Sequence, residues 1–237
     1  VWESLVELVY PPACIACDAL VEPNQRVCAA CEVFVLDTPE VRCRHCSEPG
    51  FFESGRCPRC TRSPPPFELA YAPFEHAGAI ARAIHRYKYE DRSDLSRPIG
   101  AWLADVAAPR VQPRSEVIVP IPLHAARFRE RGYDQTVLLA VELGERWRLP
   151  VRDDWLKRER ATQRQVRLDE SAREQNVSGA FRVERDLTGC DVMLIDDVYT
   201  TGATAAEAAR TLRSAGAQQV RVLTVARAKR AFTDAHT

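Results

Sequence analysis

Residues 192–204 read VMLIDDVYTTGAT. An apolar run leads into two carboxylates, Asp196 and Asp197, and then into Thr200, Thr201, Gly202, Ala203 and Thr204. The run predicts a buried strand over 191–196, and the alanine-rich stretch 202–216 predicts a helix ended by Gly216. A turn that opens a helix presents free backbone N–H groups at the positive end of the helix dipole, which favours an anion. Gly202 lets the backbone approach that anion closely, and the threonine hydroxyls can each donate a further hydrogen bond. The expected occupant is a dianionic phosphate. Asp196 and Asp197 would be repelled by it, so they are expected to accept hydrogen bonds from vicinal hydroxyls, one of them assisting a Mg2+ ion. A phosphate on one side and a diol on the other describe a ribose 5-phosphate. The plainer alternative is a capped helix after a strand, with an acidic pair facing water.

The second constellation is made of thiols. Cys14, Cys17, Cys28 and Cys31 form C-x2-C-x10-C-x2-C, and Cys43, Cys46, Cys57 and Cys60 repeat it. Each pair places two thiolates on one side of a tight knuckle, and two knuckles supply the tetrahedral sulfur set of a closed zinc site. Some 60 residues with few large apolar groups cannot rest on a hydrophobic core, so metal is expected to supply much of their folding free energy. Disulfides, buried thiols and redox chemistry are the alternatives. Sequential pairing on two ions is simplest, and an interleaved scheme, or a single ion, stays open. His45 is expected to be a bystander and Cys190 a small buried residue. Nine cysteines behind an N-terminus that carries acids rather than a basic signal also favour a cytoplasmic location.

These groups need elements to position them. Trp2, Leu5, Val6, Leu8 and Val9 fit one face of a short helix. TRSPPPF at 61–67 is a stiff linker, so the expected division is a double zinc ribbon over 1–63 and a larger domain over 64–237. In the larger domain, helical stretches at 76–89 and 133–149 alternate with apolar strands at 115–124, 191–196 and 219–226. Strands apolar on both faces predict an α/β fold with a parallel sheet flanked by helices, and ligands bind beyond the carboxyl ends of such strands.

With 33 basic and 33 acidic residues, nothing global argues for a nucleic-acid or membrane partner, and no stretch reaches a membrane span. Charge is uneven locally. Residues 1–40 hold one Arg against seven acids, and 41–63 hold five Arg against two Glu. Arg127, Arg129 and Arg131 follow the strand at 117–121. Lys157, Arg158, Arg160, Arg164 and Arg167 face only Glu159, which suggests a loop able to close over a polyanion.

The stretch 192–204 resembles the phosphoribosyl pyrophosphate (PRPP) motif of type I phosphoribosyltransferases. VPIPLHAARFRERGYDQ at 119–135, LKRERATQRQVRLDESAREQNVSGAF at 156–181, YKY at 87–89 and the cysteine-rich start are similar to one branch of that superfamily, the ComF family. Asp134 departs from the Asn more frequent there and adds a negative charge near the expected pyrophosphate loop. The resemblance implies displacement at ribose C1 with Mg2+-pyrophosphate as leaving group. Asp196 and Asp197 would hold the ribose hydroxyls, residues 200–204 the 5-phosphate, and Arg127, Arg131, Arg158, Arg160 and Lys88 the pyrophosphate. It also implies a link to DNA uptake in competence for some members. No spacing identifies the nucleophilic acceptor, whose position the ribbon is expected to occupy or cover. The competing readings are a non-catalytic PRPP or nucleotide sensor and a ribbon adaptor. The adaptor would take single-stranded DNA, through Arg42, Arg44, Arg56 and Arg59, or a protein of the competence machinery.

Overall fold

The computed structural model describes residues 11–111, 117–160 and 177–229. The helix expected over 1–9, and Arg164 and Arg167 of the expected loop, lie outside them. The strands are β1 (Leu69–Tyr71), β2 (Phe74–Glu75), β3 (Val117–Pro120), β4 (Lys157–Arg158), β5 (Phe181–Arg182), β6 (Asp191–Tyr199) and β7 (Gln219–Arg227). The helices are α1 (Ala29–Glu32), α2 (Pro58–Arg62), α3 (Gly78–Tyr89), α4 (Ser96–Val111), α5 (Ala125–Arg131), α6 (Gln135–Trp147) and α7 (Ala203–Ser214).

The main sheet is parallel throughout, in the order β1-β7-β6-β3, with β2 also paired to β7. A parallel bridge from Ile118 to Val151 extends the β3 edge. Successive side chains of a strand point to opposite faces, and the core divides accordingly. Met193, Ile195, Ile118, Leu223 and Val225 pack with α3, α4 and α6. Val192, Leu194, Val119, Val220 and Val222 pack with Ala205, Ala208, Ala209 and Leu212 of α7.

The cysteine repeat follows the same division. Cys14 and Cys31 of the first ribbon belong to the α3 side of the core, and Cys43, Cys46, Cys57 and Cys60 of the second belong to the α7 side. The two ribbons therefore straddle the sheet, one on each face. Arg86 donates to the Ile15 carbonyl at 3.1 Å and pairs with Asp18, tying the first ribbon to α3. The second is tied to β1 by Ser47 Oγ donating to the Ala70 carbonyl at 2.6 Å and Ala70 N–H donating to His45 O at 2.7 Å.

Several expected boundaries move; the strand expected at 115–124 spans only Val117–Pro120. The strand expected to end at Asp196 continues to Tyr199, because Val198 and Tyr199 still pair with Ala226 and Arg227 of β7. The two acids lie within the strand rather than after it, which changes what each can reach.

Candidate functional site

A cavity of about 750 Å3 opens at the carboxyl ends of β3 and β6, and Asp196, Asp197, Thr200, Gly202 and Thr204 line it. Strand alternation sends the two carboxylates to opposite sides. Asp197 turns toward α3 and α6. Lys88 Nζ donates to its Oδ1 at 2.6 Å and Gln135 Nε2 to its Oδ2 at 2.8 Å, and the residue is 5% exposed. Both oxygens are thus engaged by the protein, and Asp197 differs from the open diol acceptor the sequence suggests. Burial opposes ionisation of Asp197, but the ammonium beside it prevails and holds its carboxyl below the usual range. Asp196 lies opposite Thr224 of β7 and is half-buried. Its carboxyl is pushed up to about 7 by burial and then by the charge of Asp197.

The turn at 200–204 is held by Gly202, whose φ of +82° is left-handed. A Cβ there would collide with the Tyr199 hydroxyl, so glycine is required twice over. Thr200, Gly202 and Thr204 face the 750 Å3 cavity. Thr201 and Ala203, expected beside them, instead line a second cavity of about 640 Å3 on the far side of the turn. Thr201 Oγ1 accepts from the N–H of Ala203, the first residue of α7, at 3.3 Å.

The cations gather less evenly. Arg127, Arg131 and Arg158 line the main cavity, with Arg129 beside them. Arg127 and Arg131 come from α5, which ends at Gly132 in the left-handed region. Arg131 donates to Gln135 Oε1 and lies 5.4 Å from the centroid of the Tyr89 ring. Burial and then the neighbouring Arg127 depress the Arg158 guanidinium below its usual range, a sign of like charges crowded at one wall. Lys88 lines the cavity, but its ammonium is committed to Asp197. Arg160 is not among the lining residues, and it donates to the Ser178 carbonyl at 2.5 Å.

Asp134 is the N-cap of α6. Its Oδ1 accepts from Thr136 N–H at 2.9 Å and its Oδ2 accepts from Leu123 N–H at 2.9 Å. Donors meet both oxygens, a demand a carboxylate satisfies and an amide, with one acceptor atom, does not. The departure at this position is therefore structural: the charge pins the 121–124 segment to the helix that carries Gln135. Sequence reasoning passed over Gln135 itself, although it stands in the quoted GYDQ, because its partner lies 62 residues away.

The eight cysteines form two tetrads, Cys14/Cys17/Cys28/Cys31 and Cys43/Cys46/Cys57/Cys60, which resolves the pairing as sequential. Sulfur separations are 3.6 Å for Cys17–Cys28, 3.6 Å for Cys17–Cys31 and 3.7 Å for Cys46–Cys57. A tetrahedron with Zn–S of ~2.3 Å requires ~3.8 Å between sulfurs, so both tetrads have the size a zinc ion needs. His45 stands outside them, its Nε2 3.0 Å from the Phe67 carbonyl. Cys190 is half-buried rather than fully enclosed. None of the described ribbon residues lines the main cavity, so the expected cover over an acceptor is not formed by them. The second ribbon lies instead behind the turn, where Arg59 donates to the Thr201 carbonyl. Arg42 also turns inward, 4.9 Å from the centroid of the Tyr71 ring, whereas Arg44 and Arg56 are exposed. Two of the four guanidiniums expected on DNA are thus engaged with the chain itself.

The double zinc ribbon domain family matches residues 5–61. The DNA utilization protein YhgH of Salmonella typhi is 30% identical over 220 residues, spanning 91% of this chain and 96% of that protein. Competence protein F of Haemophilus influenzae is 28% identical over 209 residues, 85% of this chain and 90% of its own. Competence protein ComFC of Bacillus subtilis is 27% identical over 225 residues, 86% and 89%. Among solved structures, the glutamine PRPP amidotransferase of B. subtilis aligns over 59% of this chain and 30% of its own, with 22% identity and a TM-score of 0.41. Among the described residues no helix is long and apolar enough to cross a membrane. Nearly the whole length of the chain is matched by relatives of this kind, and it belongs to the ComF family, with a double zinc ribbon joined to an α/β domain built on a parallel sheet.

Proposed function

We propose that the main cavity binds the 5-phosphoribosyl group of PRPP and that the protein is a phosphoribosyltransferase. The observation that carries this reading is the meeting, in one cavity, of a helix-opening turn, the half-buried carboxylate of Asp196, whose Oδ1 accepts from Asp197 N–H at 2.8 Å, and three arginines. The 5-phosphate takes the N-terminal end of α7, where Thr200, Gly202 and Thr204 face it. Asp196 accepts from the ribose hydroxyls. Arg127, Arg131 and Arg158 meet the pyrophosphate. Asp197 has a positioning role: through Lys88 and Gln135 it fixes the end of α3 and the start of α6, and Gln135 in turn orients Arg131.

A cavity-lining carboxylate beside a polyphosphate suits Mg2+, which is held by one or two carboxylates together with substrate phosphates. Asp196 is the residue that would share it, and the ion would neutralise charge on the leaving group. In the reaction, an acceptor nucleophile forms a bond to ribose C1 as the bond from C1 to the pyrophosphate oxygen breaks, and the electron pair leaves with pyrophosphate. The arginines stabilise that departing charge. The names of the relatives, which speak of DNA utilization and competence, support a place for this chemistry in DNA uptake.

The test is pyrophosphate release from PRPP and Mg2+ across nucleobases and amines, with PRPP binding measured in parallel. Release that requires one acceptor and is lost in Asp196→Asn identifies the enzyme. PRPP binding without release across the panel favours the sensor. Absence of PRPP binding refutes the reading.

A further inference from the structure

The turn that faces the main cavity has a reverse side, and the second zinc ribbon occupies it. Arg59 lies on α2, between Cys57 and Cys60, both members of the second tetrad. A metal held by both residues fixes the direction in which Arg59 projects. That direction leads to the Thr201 carbonyl. Two further ties hold the ribbon there. Arg227 at the end of β7 donates to the Cys46 carbonyl at 2.5 Å, and its guanidinium lies 4.9 Å from the centroid of the Tyr199 ring. Tyr199 in turn packs against Gly202.

The Thr201 carbonyl and the Gly202 N–H belong to one trans peptide unit and point in opposite directions. A cation anchoring the carbonyl from behind therefore aims the N–H away from the ribbon. Gly202 lines the main cavity as well as the rear one. A charged donor on the carbonyl also polarises the peptide and strengthens its N–H as a donor. Thr201 is only 6% exposed, so water competes poorly for that carbonyl. The second tetrad is equally enclosed, with all four cysteines buried, whereas Cys17 of the first is exposed.

We propose that the second zinc site, acting through Arg59, sets the geometry of the 200–204 turn and thereby its affinity for phosphate. Arg59 is then a positioning residue outside the ligand cavity, and the ribbon is the support of the anion site. The proposal rests on the reading of the turn as a phosphate site.

The experiment compares zinc-loaded wild type, Arg59→Gln, Arg59→Lys and Arg62→Gln, the last an exposed neighbour on α2. Three quantities are read: ribose 5-phosphate affinity by calorimetry, amide hydrogen exchange over 199–206, and zinc content. Loss of a charge-assisted hydrogen bond that orients a ligand-facing N–H is expected to weaken binding about tenfold in Arg59→Gln. Exchange over 199–206 should rise with zinc content unchanged, Arg59→Lys should recover part of both, and Arg62→Gln should behave as wild type. Wild-type affinity and exchange in Arg59→Gln overturn the proposal. If wild type itself binds no ribose 5-phosphate, the phosphate reading fails. The exchange data then decide the coupling separately: a rise in Arg59→Gln keeps the control of turn geometry, and no change refutes that too.

Discussion

Replacing Asp197 with Asn keeps the shape of the side chain and removes its charge, which isolates what the carboxylate does. Lys88 and Asp197 have side chains 18% and 7% exposed, with 2.6 Å between Nζ and Oδ1. Neutralising one partner of such a buried pair costs about 3–5 kcal/mol when nothing replaces it. Asn still offers Lys88 one oxygen, which reduces the loss. Its amide, however, meets the Gln135 amide donor to donor. Gln135 cannot escape by rotating, since its own oxygen accepts from Arg131. A net loss of about 2–4 kcal/mol follows. Urea denaturation of wild type, Asp197→Asn, Lys88→Met and the double variant measures it. The double variant should be more stable than the sum of the singles implies, by about 2 kcal/mol. The charge on Asp197 also raises the Asp196 carboxyl, so Asp197→Asn should lower that group's titration midpoint from about 7, as read by carboxyl carbon NMR. Additive losses, or an Asp196 midpoint that does not move, would refute the reasoning.

The same geometry makes further predictions. Asp196 keeps its proton up to about pH 7 when folded, against 3.8 for the free side chain. Between those values the unfolded chain binds fewer protons, so this group's contribution to stability falls as pH rises through the window. Asp196→Asn should flatten that slope in denaturation series from pH 4 to 8. Gly202→Ala meets both a left-handed φ and the Tyr199 ring; a loss of about 2 kcal/mol or more is expected, together with loss of ribose 5-phosphate binding by calorimetry. Asp134→Asn leaves Leu123 N–H facing an amide donor and should cost about 1–2 kcal/mol in the same denaturation assay. Elemental analysis should find two zinc ions per chain, and Cys60→Ser, in the core, should lower the melting temperature more than Cys17→Ser, at the surface.

What could be read from the chain was local. The cysteine spacing, the 13 residues at 192–204 and the helices at 78–89 and 135–147 carry their signals within one or two turns of themselves. Sequential zinc pairing, left open by spacing, needed only the proximity of each tetrad. What was missed depends on pairs distant in sequence. Val198 and Tyr199 extend β6 because Ala226 and Arg227 lie alongside, and no periodicity marks that. Once the strand is longer, alternation separates Asp196 from Asp197, so two residues that look equivalent in the sequence have different partners. Lys88 looked like a cation for a polyanion because its own carboxylate lies 109 residues on. Arg59 looked like a surface charge of the ribbon, while its acceptor lies 142 residues away. The strands Leu69–Tyr71 and Phe74–Glu75 are too short to carry a pattern.

The strand order has a consequence for synthesis on the ribosome. β7, flanked by β6 on one side and by β1 and β2 on the other, is the last described strand to leave the exit tunnel. Each ribbon closes over a few tens of residues and can take its metal as soon as it emerges. β1, whose Leu69 pairs with Arg221 and lies 152 positions upstream of it, must wait until nearly every other element is made. The nascent chain thus carries two metal-set modules long before the sheet between them can form. Their inward faces are exposed throughout that interval, and a delay in translating residues 219–227 would lengthen it.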